Sequence, residues 1–283
     1  MTSTIVANAD MGPPAAERQR STLGQRVLSA LALIPFVVLL VYLGGWPFAL
    51  LVAAAAAMMQ FEWLQMMYRP RSGPALCSAL AISAAMLLVQ AQLHAAALLA
   101  LAVSGALAWL GTDGSRSRWW IALGAVWFGV PCAALVWLRG TDTGGADAVL
   151  WTLLMIWAAD SGAYFAGRSI GGPKLAPRIS PNKTWAGLLG GMIVASVTSV
   201  VFALIWGAPA ILPGAMLALL LAPWSQVGDL AESAVKRHVG VKDSGALIPG
   251  HGGILDRVDA LLFAVPAVAL VAAVWPMGNL PWQ

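Results

Sequence analysis

The sequence predicts an all-α, polytopic integral membrane protein with about nine transmembrane helices and a cytoplasmic N-terminus. The first reason is composition. Of the 283 residues, 60% are hydrophobic and only 10% are charged, whereas a soluble domain usually carries about 25% charged residues. The second reason is that apolar runs long enough to cross a bilayer, which takes about 20 residues, recur along the chain. A soluble globular domain is therefore excluded.

The chain opens with a polar segment, residues 1–25, which we predict to be a disordered cytoplasmic tail. The first apolar run, from Val27, is too long for the core of a cleavable signal peptide and is interpreted as the first span. The two cysteines, Cys77 and Cys132, are expected to be small buried apolar residues. The nine predicted spans are 27–44, 46–66, 75–91, 93–110, 119–138, 148–166, 185–206, 211–228 and 258–276.

A turn near His94 is needed to divide the stretch 75–110 into two spans. As one helix it would be roughly 54 Å long at about 1.5 Å per residue, far more than a bilayer requires. With the turn in place, 15 of the 16 Lys and Arg residues fall on the cytoplasmic side, and Arg139 is the exception. This is the asymmetry that the positive-inside rule describes.

The chain divides into two regions by polarity. Residues 27–138 form an N-terminal membrane region made mainly of apolar side chains, and residues 148–276 form a C-terminal region that we expect to be catalytic. Nearly all remaining polar residues lie in 157–187 and 224–260, and the span count places both segments in the cytoplasm. They are therefore expected to meet in one site. The net charge of +4 follows this membrane pattern, so no nucleic-acid partner is expected.

The first polar segment begins with Asp160 inside an apolar span, where a carboxylate usually marks a functional site. Several glycines follow, which allow the close backbone approach that phosphate-binding loops use. An ordinary positive-inside loop with glycine turns is the alternative. The basic residues suited to neutralising a triphosphate are Arg168, Lys174, Arg178 and Lys183.

The second polar segment carries two carboxylate pairs. Asp229 and Glu232 stand three residues apart, as do Asp256 and Asp259, and this spacing places each pair on one helix face. Carboxylates gathered at one depth favour a hard divalent cation, and Mg²⁺ is suitable when phosphates share its coordination. The alternatives are a salt-bridge network with the neighbouring Lys and Arg residues, and an ion pathway.

The run from Ser233 to Asp259, SAVKRHVGVKDSGALIPGHGGILDRVD, resembles the signature of the phosphatidate cytidylyltransferase (CDP-diacylglycerol synthase) family. The stretches DSGAYFAGR, from Asp160, and SPNKTW, from Ser180, are similar to that family too. Three positions depart from it: Ser161 stands where Thr is often found, Asn182 where Lys is frequent, and Ala186 where Glu is common. In the N-terminal half only the hydropathy matches.

This resemblance implies transfer of a cytidylyl group from CTP to phosphatidate at the cytoplasmic (inner) membrane, by a homodimer. It further implies that Asp229 and Asp256 bind Mg²⁺ with support from Asp160 and Asp259. The remaining implied catalytic residues are Lys183, Lys242, Asp243 and His251, and the implied substrate-binding residues are Asp160, Arg168, Lys174, Lys183, Lys236, Arg237 and Arg257.

Two other functions remain open at this stage. A CTP-dependent polyprenol or phytol kinase would transfer the γ-phosphoryl group instead, and a transporter is compatible with the span count. Glu62, an isolated carboxylate in the second span, has two equal interpretations: it lines a lipid groove or pairs with a neighbouring helix.

Overall fold

The computed structural model describes residues 31–67, 72–111, 118–142, 144–245, 253–275 and 280–282. These contain nine apolar helices and one two-stranded hairpin. In chain order they are α1 (Leu31–Leu43), α2 (Gly45–Met67), α3 (Ser72–Gln90), α4 (His94–Leu110), α5 (Arg118–Arg139), α6 (Gly145–Ile170), β1 (Lys174–Ala176), β2 (Ser180–Thr184), α7 (Trp185–Trp206), α8 (Ile211–His238) and α9 (Leu255–Val274).

The predicted all-α, polytopic membrane fold is confirmed. Seven of the described helices are long and apolar enough to cross a membrane by length and composition, and α1 and α4 are shorter apolar helices. Most predicted spans end within three residues of a helix end, and α7 coincides with the predicted 185–206. The predicted tail, 1–25, lies outside the described residues.

The turn expected near His94 is present. Helix α3 ends at Gln90 and α4 begins at His94. Between them Gln92 has a φ of 62°, the left-handed conformation in which a chain reverses direction tightly. The stretch 75–110 is therefore a helical hairpin, as the length argument required.

Helix α8 differs most from its predicted span, since it continues ten residues beyond 228 to His238. Hydropathy detects only the apolar part of a helix, and the final turns of α8 are polar. These turns carry Asp229, Glu232 and Lys236, so the extension forms part of the candidate site.

The hairpin was not predicted. Strands β1 and β2 are antiparallel, with Lys174 opposite Thr184 and Ala176 opposite Ser180. Thr184 then begins α7, where its hydroxyl accepts a hydrogen bond from the Gly187 amide at 3.0 Å. A threonine hydroxyl at this position satisfies one of the unpaired amides of a helix start.

Helices α6 and α7 lie unusually close because small residues form their interface. A Cβ on Gly190 would lie 2.2 Å from the Cβ of Ala166, and one on Gly162 would lie 2.8 Å from the Cβ of Val194. Glycine at such sites lets helix backbones approach within a membrane. This contact holds the hairpin that precedes α7 against the C-terminal half of α6.

Contacts between helix ends agree with an alternating up-and-down path. Near the end that carries the polar segments, the Trp63 indole of α2 donates to the Trp120 carbonyl of α5 at 3.0 Å. At the opposite end, the Arg139 guanidinium of α5 donates to the Tyr42 carbonyl of α1, also at 3.0 Å. The only predicted extracytoplasmic cation thus caps the carboxyl end of α1, where positive charge is favourable.

The sidedness can be tested with single cysteines in a background where Cys77 and Cys132 are replaced. Pro177→Cys lies in the exposed hairpin turn and Asp142→Cys in the exposed turn after α5. An impermeant thiol reagent applied to intact cells is expected to label Asp142→Cys and to leave Pro177→Cys unlabelled until the cells are opened. Labelling of Pro177→Cys in intact cells would reverse the assigned topology.

Candidate active site

The two polar segments meet through Lys183 of β2. Its Nζ lies 2.5 Å from Oδ2 of Asp229 and donates to Oε1 of Gln226 at 2.8 Å, both on α8. Gln226 in turn donates to Oδ1 of Asp160 on α6 at 3.1 Å. The hairpin, α6 and α8 therefore supply one continuous polar group, as the span count predicted.

A second ion group surrounds Lys236, whose side chain is only 9% exposed. Its Nζ lies 2.6 Å from Oδ1 of Asp256 and 3.0 Å from Oε1 of Glu232. The Glu232 contact lacks hydrogen-bond geometry, and neither oxygen of that carboxylate has a hydrogen-bond partner among the described groups. Lys236, assigned to substrate by the resemblance, instead stands between two carboxylates, as in the salt-bridge alternative.

Asp256 is held from both sides. While Oδ1 faces Lys236, Oδ2 accepts hydrogen bonds from the amide of Ser244, the hydroxyl of Ser244 and the amide of Gly253, each at 3.0 Å. This carboxylate near the start of α9 therefore holds Ser244 and Gly253 close to each other.

The carboxylates Asp160, Asp229 and Asp259 lie within electrostatic range of one another. Among the residues that the structure describes, no three Asp, Glu, His or Cys side chains converge closely enough to enclose a metal ion by themselves. Mg²⁺ rarely needs such a cage, because one or two carboxylates together with substrate phosphates usually hold it. The donor set, oxygens only, suits this ion.

A cavity of about 590 Å³ opens beside the Lys183 group. Such a volume is ordinary for a small-molecule site. Arg168 and Lys174 line it together with Lys183, Asp160 and Asp229. The Arg168 guanidinium is oriented by a 2.8 Å hydrogen bond to the Tyr164 hydroxyl. Three cations thus face one cavity, as an anionic ligand requires.

A second cavity, of about 290 Å³, is apolar and runs between α1, α2, α5, α6 and α9. Two charged residues, Asp160 and Arg257, are found among its lining side chains. Asp160 lines both cavities, so the apolar space adjoins the cationic one.

Other predicted site residues lie outside these two groups. Arg237 is exposed and donates to the carbonyl of Val241, in the turn that follows α8, at 3.1 Å. Lys242 and Asp243 are exposed in the turn after α8, and Arg178 is exposed in the hairpin turn. His251 lies outside the described residues.

Sequence reasoning missed Gln226 and Ser244 as site residues. Both bridge predicted ones, since Gln226 links Lys183 to Asp160 and Ser244 binds Asp256. The signal for Gln226 was an amide within the apolar part of α8, the predicted span 211–228. Ser244 had no comparable signal, because a serine in a polar turn is unremarkable.

Comparison with known proteins agrees with this arrangement. Residues 24–275 match a model described as the cytidylyltransferase family. The chain belongs to the cytidylyltransferase family. A protein named phosphatidate cytidylyltransferase, from Brucella suis, is 38% identical over 265 residues, which is 92% of this chain and 97% of the relative. Equally named proteins from Bacillus subtilis and Haemophilus influenzae are 43% and 47% identical over 55% and 43% of this chain, and 58% and 44% of their own lengths.

The family match extends the resemblance beyond the motifs that suggested it. Sequence motifs covered only the C-terminal half in detail, whereas the match begins at residue 24 and includes the first helices. The N-terminal helices therefore belong to the family fold, and α1, α2 and α5 line the apolar cavity.

The two lysines are expected to differ in their effect on stability. Lys236→Met leaves Glu232 and Asp256, which are 1% and 9% exposed, without their counter-ion. Removing one partner of a buried pair costs roughly 3–5 kcal/mol. Lys183→Met is the matched control, because Asp229 is 27% exposed and water can solvate it. Thermal unfolding in detergent should show a clearly lower midpoint for Lys236→Met alone; equal midpoints would contradict this assignment.

Proposed function

We propose that this enzyme, a nucleotidyltransferase, transfers the cytidylyl group of CTP to phosphatidate and forms CDP-diacylglycerol and pyrophosphate. The observation that carries the proposal is the adjacency of a cationic cavity and an apolar cavity at Asp160, in a chain that matches phosphatidate cytidylyltransferases over nearly its full length. Such a site can hold a polyanionic nucleotide and a lipid side by side.

The reaction joins two anions, so charge neutralisation and positioning are its main requirements. A phosphatidate phosphate oxygen attacks the α-phosphorus of CTP and a new P–O bond forms. The bond between the α-phosphorus and its bridging oxygen to the β-phosphate breaks, and pyrophosphate leaves with that oxygen. The attacking oxygen is already ionised near neutral pH, so the step requires no protein base.

The cationic cavity is the proposed CTP site. Arg168, Lys174 and Lys183 place three positive charges around it. Lys183 is anchored by Asp229 and Gln226, so its ammonium group is already oriented before the nucleotide binds. Charge placed in advance stabilises the charge that develops on the departing phosphates.

The apolar cavity is the proposed site for part of a phosphatidate acyl chain. Its side chains are aliphatic and aromatic except at Asp160 and Arg257. The Arg257 guanidinium is suited to the lipid phosphate, because a guanidinium fork matches phosphate geometry.

Mg²⁺ is the proposed metal, with Asp229 and Asp256 as ligands and Asp160 and Asp259 as support. When bound, the ion would neutralise phosphate charge and orient the triphosphate. The chain's own contribution is to hold Asp160 and Asp229 at the cationic cavity through Gln226 and Lys183, and to hold Asp256 through Lys236 in the second ion group.

The proposed location is the cytoplasmic membrane, with the site facing the cytosol. CTP is then supplied from water while phosphatidate enters from the adjoining leaflet. We keep the homodimer that the resemblance implies as a prediction. The kinase and transporter alternatives are less well supported, because the full-length relative is named a cytidylyltransferase and the described ion groups gather at one end of the helices.

An assay with purified protein tests the reaction. Wild type in detergent, with phosphatidate, Mg²⁺ and CTP labelled in cytidine, is expected to yield labelled CDP-diacylglycerol. Asp229→Ala and Asp256→Ala should each lose activity by at least about 10²-fold, in line with loss of a metal or transition-state contact. Asp142→Ala is the control and should retain activity, because it also removes a carboxylate but lies in the turn after α5, at the opposite end of the helices.

Three results would contradict the reaction. They are no product from wild type, full activity in the two aspartate variants, and lipid labelled from the γ-phosphate of CTP. The last would instead identify the kinase alternative.

The lipid site can be tested by filling the apolar cavity. Ala55 of α2 lines this cavity, whereas its neighbour Ala54 is exposed on the outer face of the same helix. Ala55→Trp is expected to raise the KM for long-chain phosphatidate about tenfold, equivalent to about 1.4 kcal/mol, while Ala54→Trp leaves it unchanged. Equal KM values for the two variants would show that acyl chains bind elsewhere.

A further inference from the structure

The Glu62 carboxylate on α2 is almost completely enclosed, with 2% of the residue exposed. It does not line the apolar cavity; instead, its carboxylate binds the start of α9. Its Oε1 accepts from the amide of Ile254 at 2.9 Å, and its Oε2 accepts from the amide of Leu255 at 3.0 Å. Of the two sequence-based interpretations of Glu62, pairing with a neighbouring helix is therefore confirmed, and the partner is the backbone at the start of α9.

Glu62 supplies a helix cap from a distant part of the chain. The first amides of a helix lack partners within it, and negative charge is favourable there. Ile254, at the cap position of α9, has no side chain able to provide this bond, and the structure records none. A carboxylate 192 residues earlier in the chain takes its place.

The same carboxylate adjoins the group that holds Asp256. The Ser244 hydroxyl lies 3.0 Å from Oδ2 of Asp256 and 3.2 Å from Oε2 of Glu62. Its one proton can be donated to only one of them at a time. Ser244 thus lies between a carboxylate of the N-terminal region and one of the proposed metal ligands.

Two glycines show how closely the chain surrounds Glu62. A Cβ on Gly245 would lie 2.9 Å from Oε1, and a Cβ on Gly253 would lie 2.6 Å from Oε2. Side chains at these positions would displace the carboxylate. The backbone on both sides of residues 246–252 is therefore shaped to contact Glu62.

We infer that Glu62 is a positioning residue: it fixes the start of α9, and through Ser244 it sets the place of Asp256 for the transfer reaction. This rests on the proposed function, in which Asp256 contributes directly to the site. Glu62 itself touches neither cavity.

Glu62→Gln is the principal test, because it keeps the shape but replaces one acceptor oxygen with a donor. Hydrogen exchange of a peptide covering 253–259 should become about 10- to 100-fold faster, the range expected for loss of a hydrogen bond to a charged acceptor. The kcat should fall about 10- to 100-fold, the usual effect of losing a group that orients a metal-binding side chain. The KM for CTP should stay unchanged, since Lys183 and Arg168 are untouched.

Gln60→Leu is the matched control on the same helix. Gln60 is fully buried and donates to the Ser78 hydroxyl at 2.9 Å, away from α9. Its loss also removes a buried polar contact, but exchange of 253–259 and kcat should remain at wild-type values. If both variants change these two quantities equally, Glu62 has only a general structural role and the inference is overturned.

A second variant covers the case in which Glu62→Gln does not accumulate as folded protein. Ser244→Ala removes the hydroxyl between the two carboxylates and is expected to lower kcat with the KM for CTP unchanged. Wild-type kcat in Ser244→Ala would overturn the inference. Failure of this inference can be told apart from failure of the proposed function. If wild type lacked transferase activity, hydrogen exchange of 253–259 in Glu62→Gln and Gln60→Leu would still show whether Glu62 fixes the start of α9.

Discussion

A charge placed among apolar helices is costly unless an opposite charge or hydrogen bonds accompany it, and this constraint determines how the polar end of the molecule is built. Lys183 and Lys236 each lie against carboxylates from another part of the chain. These two lysines join the hairpin to α8 and α8 to α9. The candidate site is thus held together by ion pairs between separate elements, and its geometry depends on this pairing.

Polar side chains also connect the two regions of the chain. The N-terminal helices carry few charged residues, yet Glu62 of α2 caps α9 and several side chains of α1, α2 and α5 line the apolar cavity. The division into a membrane region and a catalytic region describes composition better than function. A substitution in α2 can therefore affect the site as directly as one in α8.

Much of the fold was predictable because a membrane imposes two simple rules, length and charge asymmetry. The spans of α5 and α7 and the turn before His94 follow from them. The hairpin and the polar turns of α8 could not be predicted from these rules, since hydropathy does not detect short polar elements. In the site, Asp160 was found because a carboxylate in an apolar span is conspicuous. Asp229 was found by its spacing to Glu232, and Lys183 as one of the basic residues of the first polar segment. Which helix Glu62 pairs with was not predictable, because a contact between residues 192 positions apart leaves no local pattern.

The shared border at Asp160 has a consequence for the direction of the reaction. One product of the proposed transfer, pyrophosphate, dissolves only in water, and the other remains in the lipid phase. Because one cavity is apolar and the other is lined by cations, the products of the proposed reaction would depart in different directions and their encounter at the site would be rare. The reverse reaction is thereby slowed by partition between phases, without any moving part in the protein.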